Sequence, residues 1–230
     1  MLQPNAEVYR VKQVHGNIVL NPSEIRTQEN YLSSPSLSIA EEAQSFLAEA
    51  DGLITEQAEQ SVWVASADCT PVLIADFASG QVAAVHAGWR GTATKIVPSA
   101  IARLQSQGSK IQDLRVAMGP AIAGEVYQVS HQVAAEVGAS IIPLESAESM
   151  LKSLDQLPNS PVSADPQPGR VRLDIRRVIA LQLEQLGISG DQVAIAPHCT
   201  YKEPEHFFSY RRDKLKKVQW SGIVSTKSIL

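Results

Sequence analysis

Three segments of this 230-residue chain carry side chains that hold metals or activate nucleophiles, and each falls where an apolar run breaks. They are QVHG with His15, SADCTP with Cys69, and AVHAGWRG with His86. Two imidazoles and one thiolate form a His2Cys set that suits zinc, whose borderline-soft character accepts both nitrogen and sulfur. Three protein ligands leave a fourth position for water, the pattern of a catalytic site, and water held there has its pKa lowered to about 7. The spacing matches no short zinc motif. The residues also fit a plainer reading, in which His15 is a turn residue, Cys69 a small buried hydrophobe and His86 a satisfied strand-end histidine.

Other side chains could serve the same chemistry. Asp68 adjoins Cys69 and can accept a proton or orient a ligand, or simply cap a turn. Arg90 can grip a phosphate through both arms of its fork or make a structural ion pair. Gly88 and Gly91 would let backbone N–H groups approach an anion. Tyr210, Arg211 and Arg212 offer a ring and two cationic forks, with one arginine expected to face the site and the other a carboxylate such as Asp213. Cys199, His131, His206, Trp63 and Trp89 read as structural.

The elements that must position these residues are clearest in the centre. SVWVAS (61–66), PVLIAD (71–76) and QVAAVHAG (81–88) are β-branched apolar runs of strand length. A helix over 92–107 follows, with Ile96, Val97, Ala100, Ile101 and Leu104 on one face, Pro98 in its first turn and Gly108 beyond its end. RVAMG (115–119) is a further strand, and 125–138 a helix or a strand–helix piece. A second helix spans 174–186, with Asp174 as N-cap, Leu186 on its apolar face and Gly187 after it. QVAIA (192–196) reads as a last buried strand. Residues 7–20 read as two strands around a turn at His15-Gly16, 21–38 as a loop, 40–49 as a short helix, and Asp51-Gly52 as a turn. Residues 143–170, rich in Pro, Ser and Asp, read as irregular. Strands and helices mix without strict βαβ alternation. The fold class is therefore α+β, or mixed-sheet α/β, with central mixed sheets flanked by helices in one domain over 1–230.

The bulk numbers narrow the function classes. A net charge of −4 and a pI near 5.7 give no footprint for nucleic acid or a membrane surface. No apolar run is long enough to span a bilayer, and the amino terminus lacks a signal-peptide core. Two cysteines make no disulfide framework, so the chain is expected in the cytoplasm.

Taken in order, QVHG, ADGLIT, SADCTPVLIAD, AAVHAGWRGT, MGPAI and HCTY…FFSYRRD closely resemble the YfiH-type family, also called the laccase-domain or polyphenol oxidase-like family. The resemblance runs from about residue 11 to about 213. It implies a zinc site at His15, Cys69 and His86. It also implies an enzyme that cleaves adenosine, inosine, guanosine or methylthioadenosine with phosphate and deaminates adenosine. The chain begins without the Arg-Gly-Gly segment and the Ser-Leu-Asn-Leu stretch usual before QVHG, so a short amino terminus is expected. Where the family often has Cys-Cys-Tyr after GPAI, this chain keeps only Tyr127. The expected partners are a purine nucleoside and phosphate, with no nucleic acid and no membrane, and the expected state is a monomer or small homo-oligomer.

Two other chemistries fit the same residues. A metal-free hydrolase or deamidase would use Cys69 as nucleophile and His86 as base, leaving His15 without a role. A copper polyphenol oxidase would need several coppers and more than the five histidines present.

Overall fold

The predicted central strands form the middle layer of the computed structural model, which describes residues 5–26, 47–143 and 146–227. Thr70–Asp76 (β5) pairs antiparallel with Val82–Ala87 (β6) on one side and Leu114–Met118 (β7) on the other. Val193–Ile195 (β11) extends the β7 edge in parallel. Gly52–Ile54 (β3) and Val19–Leu20 (β2) extend the β6 edge, completing a mixed six-stranded sheet. Gln60–Ser66 (β4) lies in a second sheet, between Glu7–Tyr9 (β1) and Gln219–Val224 (β12). A third sheet pairs Arg170–Leu173 (β10) with Gln128–Ser130 (β8) and Val162–Ala164 (β9).

The two faces of the large sheet bury different partners, and strand alternation decides which residue goes where. Val72 and Ile74 of β5, with Ala83, Val85 and Ala87 of β6, pack under the helices Ile96–Ser106 (α2) and Ile175–Gln185 (α5). Leu53, Val82 and Ala84 face the opposite way, onto Val62 and Val64 of β4. The sheet is thus covered by helices on one side and by a sheet on the other. Ile74 is fully buried, and Ile74→Ala is expected to cost about 2–5 kcal/mol through lost contact and a residual cavity.

Several local expectations change. The helix over 92–107 is two helices, Trp89–Ala93 (α1) and α2, separated at Lys95, whose φ of 60° breaks the hydrogen-bond ladder. Its predicted apolar face is fully buried. The stretch 125–138 is a strand–helix piece, β8 running into His131–Gly138 (α3). The region expected to be irregular holds a helix, Ala147–Asp155 (α4), capped by Ser146, and the strand β9. Met150 and Leu154, buried and four residues apart, carry a short helical pattern that the surrounding Pro and Ser residues obscure. QVAIA forms an edge strand, with Ile195 about half exposed. Leu186 is partly exposed at the end of α5, whose cap is Asp174 as expected.

Residues 22–26, expected in a loop, form a helical turn capped reciprocally by Asn21 and Glu24. The rest of that loop, and 40–46 of the expected short helix, lie outside the described residues; 47–49 are not helical. Asp51-Gly52 is not a turn: Asp51 is fully buried beside the start of β3.

Candidate metal centre and active site

Strand parity brings the ligands together. Val82 and Ala84 face the second sheet, so His86, two residues on, faces the same way, across from Pro71. Cys69 precedes β5 in phase with Leu73 and Ala75, which pack on that same side. Asp51 shares the phase of Leu53 and accepts a hydrogen bond from His86 Nδ1 at 2.8 Å. His15 comes from the amino-terminal segment, in a left-handed backbone conformation with φ 61°. A non-glycine residue there needs support, and Asp51 supplies it. Its carboxylate accepts the N–H groups of Val14, His15 and Gly16 at 3.1, 2.9 and 2.7 Å.

Donor atoms of His15, Cys69 and His86 lie within 4.8 Å of one another, and the imidazole centroids are 4.8 Å apart at 85°. Bonds of about 2.0–2.3 Å to one ion put ligands about 3–4 Å apart, so small rotations close the set. Because Asp51 takes Nδ1 of His86, the other ring nitrogen is left for the shared point. This is the carboxylate–histidine pairing that fixes ring orientation in metal sites. Gly88 makes room, since a Cβ there would stand 2.9 Å from Cys69 Sγ and 3.4 Å from His15 Cδ2. The donor set therefore fits a zinc ion.

Electrostatics point the same way. Burial pushes the Cys69 thiol up, but hydrogen bonds and charge from His15 and His86 outweigh it and bring it down to about 7. Burial pushes His86 down, and Asp51 with Cys69 overcomes that, raising it to about 9. Asp51 is held below the usual carboxylate range despite burial, through His86 and the backbone amides. Metal ligation needs a thiolate, and this pocket favours one.

Two clefts flank the set. One, about 610 Å³, is lined by His15, Cys69, Asp68, Tyr127, Tyr210, Arg211 and the Lys214–Val218 stretch. The other, about 550 Å³, shares His15, Cys69 and Val218 and adds His86, Arg10, Gln13, Ser66 and Trp220. Of the sequence candidates, Tyr210 and Arg211 line the first. Arg211 donates to the Gln128 carbonyl at 3.0 Å and stands 5.0 Å from the Tyr127 ring centroid. Arg212 turns the other way. It forms a bidentate pair with Asp213 at 2.8 and 2.9 Å and donates to the carbonyls of Thr200, Tyr201 and Phe207.

Asp68 is at the first cleft, but its carboxylate accepts from Thr200 Oγ1 at 2.7 Å and from the Arg211 N–H at 2.8 Å. It anchors Tyr210–Asp213 (α6) beside the site. Arg90 is exposed, 4.3 Å from the Trp89 ring centroid, with no ion pair among the described residues. Cys199 is buried, its sulfur accepting from the Ala123 N–H.

Sequence reasoning missed Asp51, Tyr127 as a lining residue, and Trp220. Asp51 hid in an Asp-Gly pair that usually marks a turn; its phase with Leu53 was the available signal. Among the described residues no other group of three His, Cys, Asp or Glu side chains converges in this way. Nor is any helix there long and apolar enough to cross a membrane.

Comparisons with known proteins identify the family. The purine nucleoside phosphorylase slr1573 of Synechocystis sp. is 49 % identical over 227 residues, 97 % of this chain and 82 % of that protein. Adenosine deaminase RL5, from an unknown prokaryotic organism, is 29 % identical over 172 residues, 75 % of this chain and 60 % of that protein. The crystal structure of YlmD from Geobacillus stearothermophilus matches with a TM-score of 0.77 at 27 % identity, covering 97 % of this chain and 75 % of that one. Residues 1–224 match the family described as multi-copper polyphenol oxidoreductase laccase, and the chain belongs to that YfiH-like laccase-domain family.

Proposed function

We propose that the protein is a cytoplasmic, zinc-dependent purine nucleoside enzyme that cleaves adenosine, inosine, guanosine or methylthioadenosine with phosphate and also deaminates adenosine. One observation carries the reading: His15, Cys69 and His86 converge within 4.8 Å, backed by a buried carboxylate and open to two clefts. Relatives named purine nucleoside phosphorylase and adenosine deaminase support it. Both cysteines are free, which suits a reducing compartment.

His15, Cys69 and His86 would hold the ion. Zinc there would supply Lewis-acid polarisation and lower the pKa of a bound water. The remaining chemistry falls to the chain. In phosphorolysis a phosphate oxygen attacks C1′, the C1′–N9 bond breaks, and the base leaves with the electron pair and takes up a proton. Arg211, at the cleft wall, neutralises phosphate charge, and Arg90, whose charge reaches Tyr127, adds to the field. Tyr127 has no side-chain hydrogen bond among the described residues. Burial and the Cys69 thiolate push it up to about 12, so it stays protonated and offers a hydrogen bond to substrate. Asp68 acts as a positioning residue, through the backbone of Arg211, and Tyr210 gives the same cleft an aromatic wall. Arg212 serves substrate binding only indirectly, by holding α6.

The test is a product assay on zinc-loaded protein. Inosine with phosphate should give hypoxanthine and a ribose phosphate, and adenosine should give ammonia. Absence of both products from metal-replete protein would sink the reading. A thiol within reach of two imidazoles also suits the metal-free Cys69–His86 hydrolase. That reading requires turnover to survive complete chelation. The copper oxidase reading needs further copper ligands, and His131, His198 and His206 do not join the described cluster.

A further inference from the structure

The two clefts beside His15, Cys69 and His86 differ in chemistry, and the difference assigns the two halves of a substrate. The 610 Å³ cleft is cationic, with Arg211, Lys214, Lys216 and Lys217 on its wall. None of these four makes an ion pair among the described residues, so the cleft suits phosphate. The 550 Å³ cleft lacks the lysine cluster and carries an indole, Trp220, in its wall. Its volume is within the range of small-molecule sites, about 300–1,000 Å³.

Its distinguishing side chain is Trp220. The indole is 46 % exposed on β12, opposite the small Ala65, with the Arg10 guanidinium over part of the ring. Its Nε1 has no hydrogen-bond partner among the described residues. Trp63, by contrast, donates to Ser61 Oγ at 2.7 Å and packs over Gly222, which makes it structural. Arg10 stands 5.6 Å from the Trp220 centroid and makes no ion pair among the described residues. Nearby, Gln13 is locked to both the N–H and the carbonyl of Ala65, at 2.7 and 2.8 Å, so the wall is rigid.

We propose that Trp220 is the platform on which the purine base stacks, with Arg10 contacting its polar edge. The inference rests on the nucleoside reading above and deepens it. Every base has a π-face, so stacking is base-tolerant, whereas a guanidinium matches the adjacent O6 and N7 acceptors of a 6-oxopurine. Arg10 therefore makes the site favour inosine and guanosine over adenosine. The scissile bond then lies at the metal set, with phosphate approaching from the opposite cleft.

The test uses the zinc-loaded full chain. Calorimetric titrations with inosine and adenosine are paired with steady-state KM values for inosine and for phosphate. Trp220→Ala should weaken binding of both nucleosides about 5- to 150-fold, as loss of base–aromatic stacking does, and leave the KM for phosphate unchanged. Trp220→Phe should restore most of it, which a merely structural tryptophan would not predict. Arg10→Ala should weaken inosine more than adenosine. Unchanged nucleoside affinity in Trp220→Ala overturns the proposal. So does a parallel loss of phosphate affinity and melting temperature that Trp220→Phe fails to rescue. Turnover in wild type with an unaffected Trp220→Ala condemns this inference alone. Tryptophan-dependent binding without turnover condemns the proposed reaction alone, and no binding at all condemns both.

Discussion

Among the described residues, two places put a histidine, a cysteine and a carboxylate together, and at only one do three possible ligand atoms converge. At the first, His86 Nδ1 meets Asp51 at 2.8 Å; at the second, His198 Nδ1 meets Glu203 at the same distance. The resemblance ends there. Asp51 and His86 are 0 % and 3 % exposed at their side chains, against 31 % and 52 % for Glu203 and His198. Asp51 also organises a second imidazole by gathering the amides of residues 14–16, whereas Glu203 accepts the N–H of Cys199 and closes a local turn. Cys69 faces two imidazoles, while the Cys199 sulfur accepts from the Ala123 backbone. A carboxylate–histidine pair gains function when it is buried and its partners converge from distant segments.

That contrast can be broken most severely by substituting the thiols. Cys69→Ala should abolish stoichiometric zinc, read by elemental analysis, and reduce nucleoside turnover below detection. Cys199→Ala should leave both intact. Equal effects from the two would erase the distinction. Chelation comes next: removing the metal should stop turnover and added zinc should restore it, while activity persisting in verified metal-free protein would favour the Cys69–His86 hydrolase.

Asp51→Asn should weaken zinc binding about 10- to 100-fold, the usual penalty for losing a carboxylate behind a ligating histidine. Glu203→Gln should leave zinc affinity unchanged, and a competition titration with a chromophoric chelator reads both. The smallest effect is on pH dependence. In metal-free protein His86 rises from an ordinary value near 6.5 to about 9. A raised folded-state pKa contributes stability that is complete below the unfolded value and is lost as pH climbs through the folded one. Cys69 acts in the opposite sense, because its thiol is lowered to about 7 and so gains stability with rising pH. The melting temperature of chelated wild type should therefore be nearly flat between about pH 7 and 9, and Asp51→Asn, which takes away a support of the His86 charge, should make it rise with pH. No such difference between wild type and variant would remove the assigned role of Asp51.

Much of this could be read in the residues before any coordinates. The runs 61–66, 71–76 and 81–88 were legible because buried strands tolerate only apolar β-branched sequence, and α5 because Asp174 and Gly187 punctuate it. His15, Cys69 and His86 were legible through their motif strings. Asp51 was not, because a turn-like dipeptide and a caged carboxylate look alike until the neighbours are known. Trp220 was hidden in a basic tail whose strand pairs with a partner more than 150 positions earlier. Local pattern does not encode such pairing. The division between Arg211 and Arg212 was foreseen as one arginine inward and one outward, but which was which depends on the short helix that Asp68 and Ser209 cap.

The position of Asp51 also limits how this sequence can change over generations. The carboxylate sits one residue ahead of a three-residue strand and holds both imidazoles, one through its ring and one through its backbone. Removing a single residue from that strand would swing Asp51 to the helical side of the sheet, because each step along a strand reverses facing. Both histidines would lose their anchor in one event. The count of residues there cannot change.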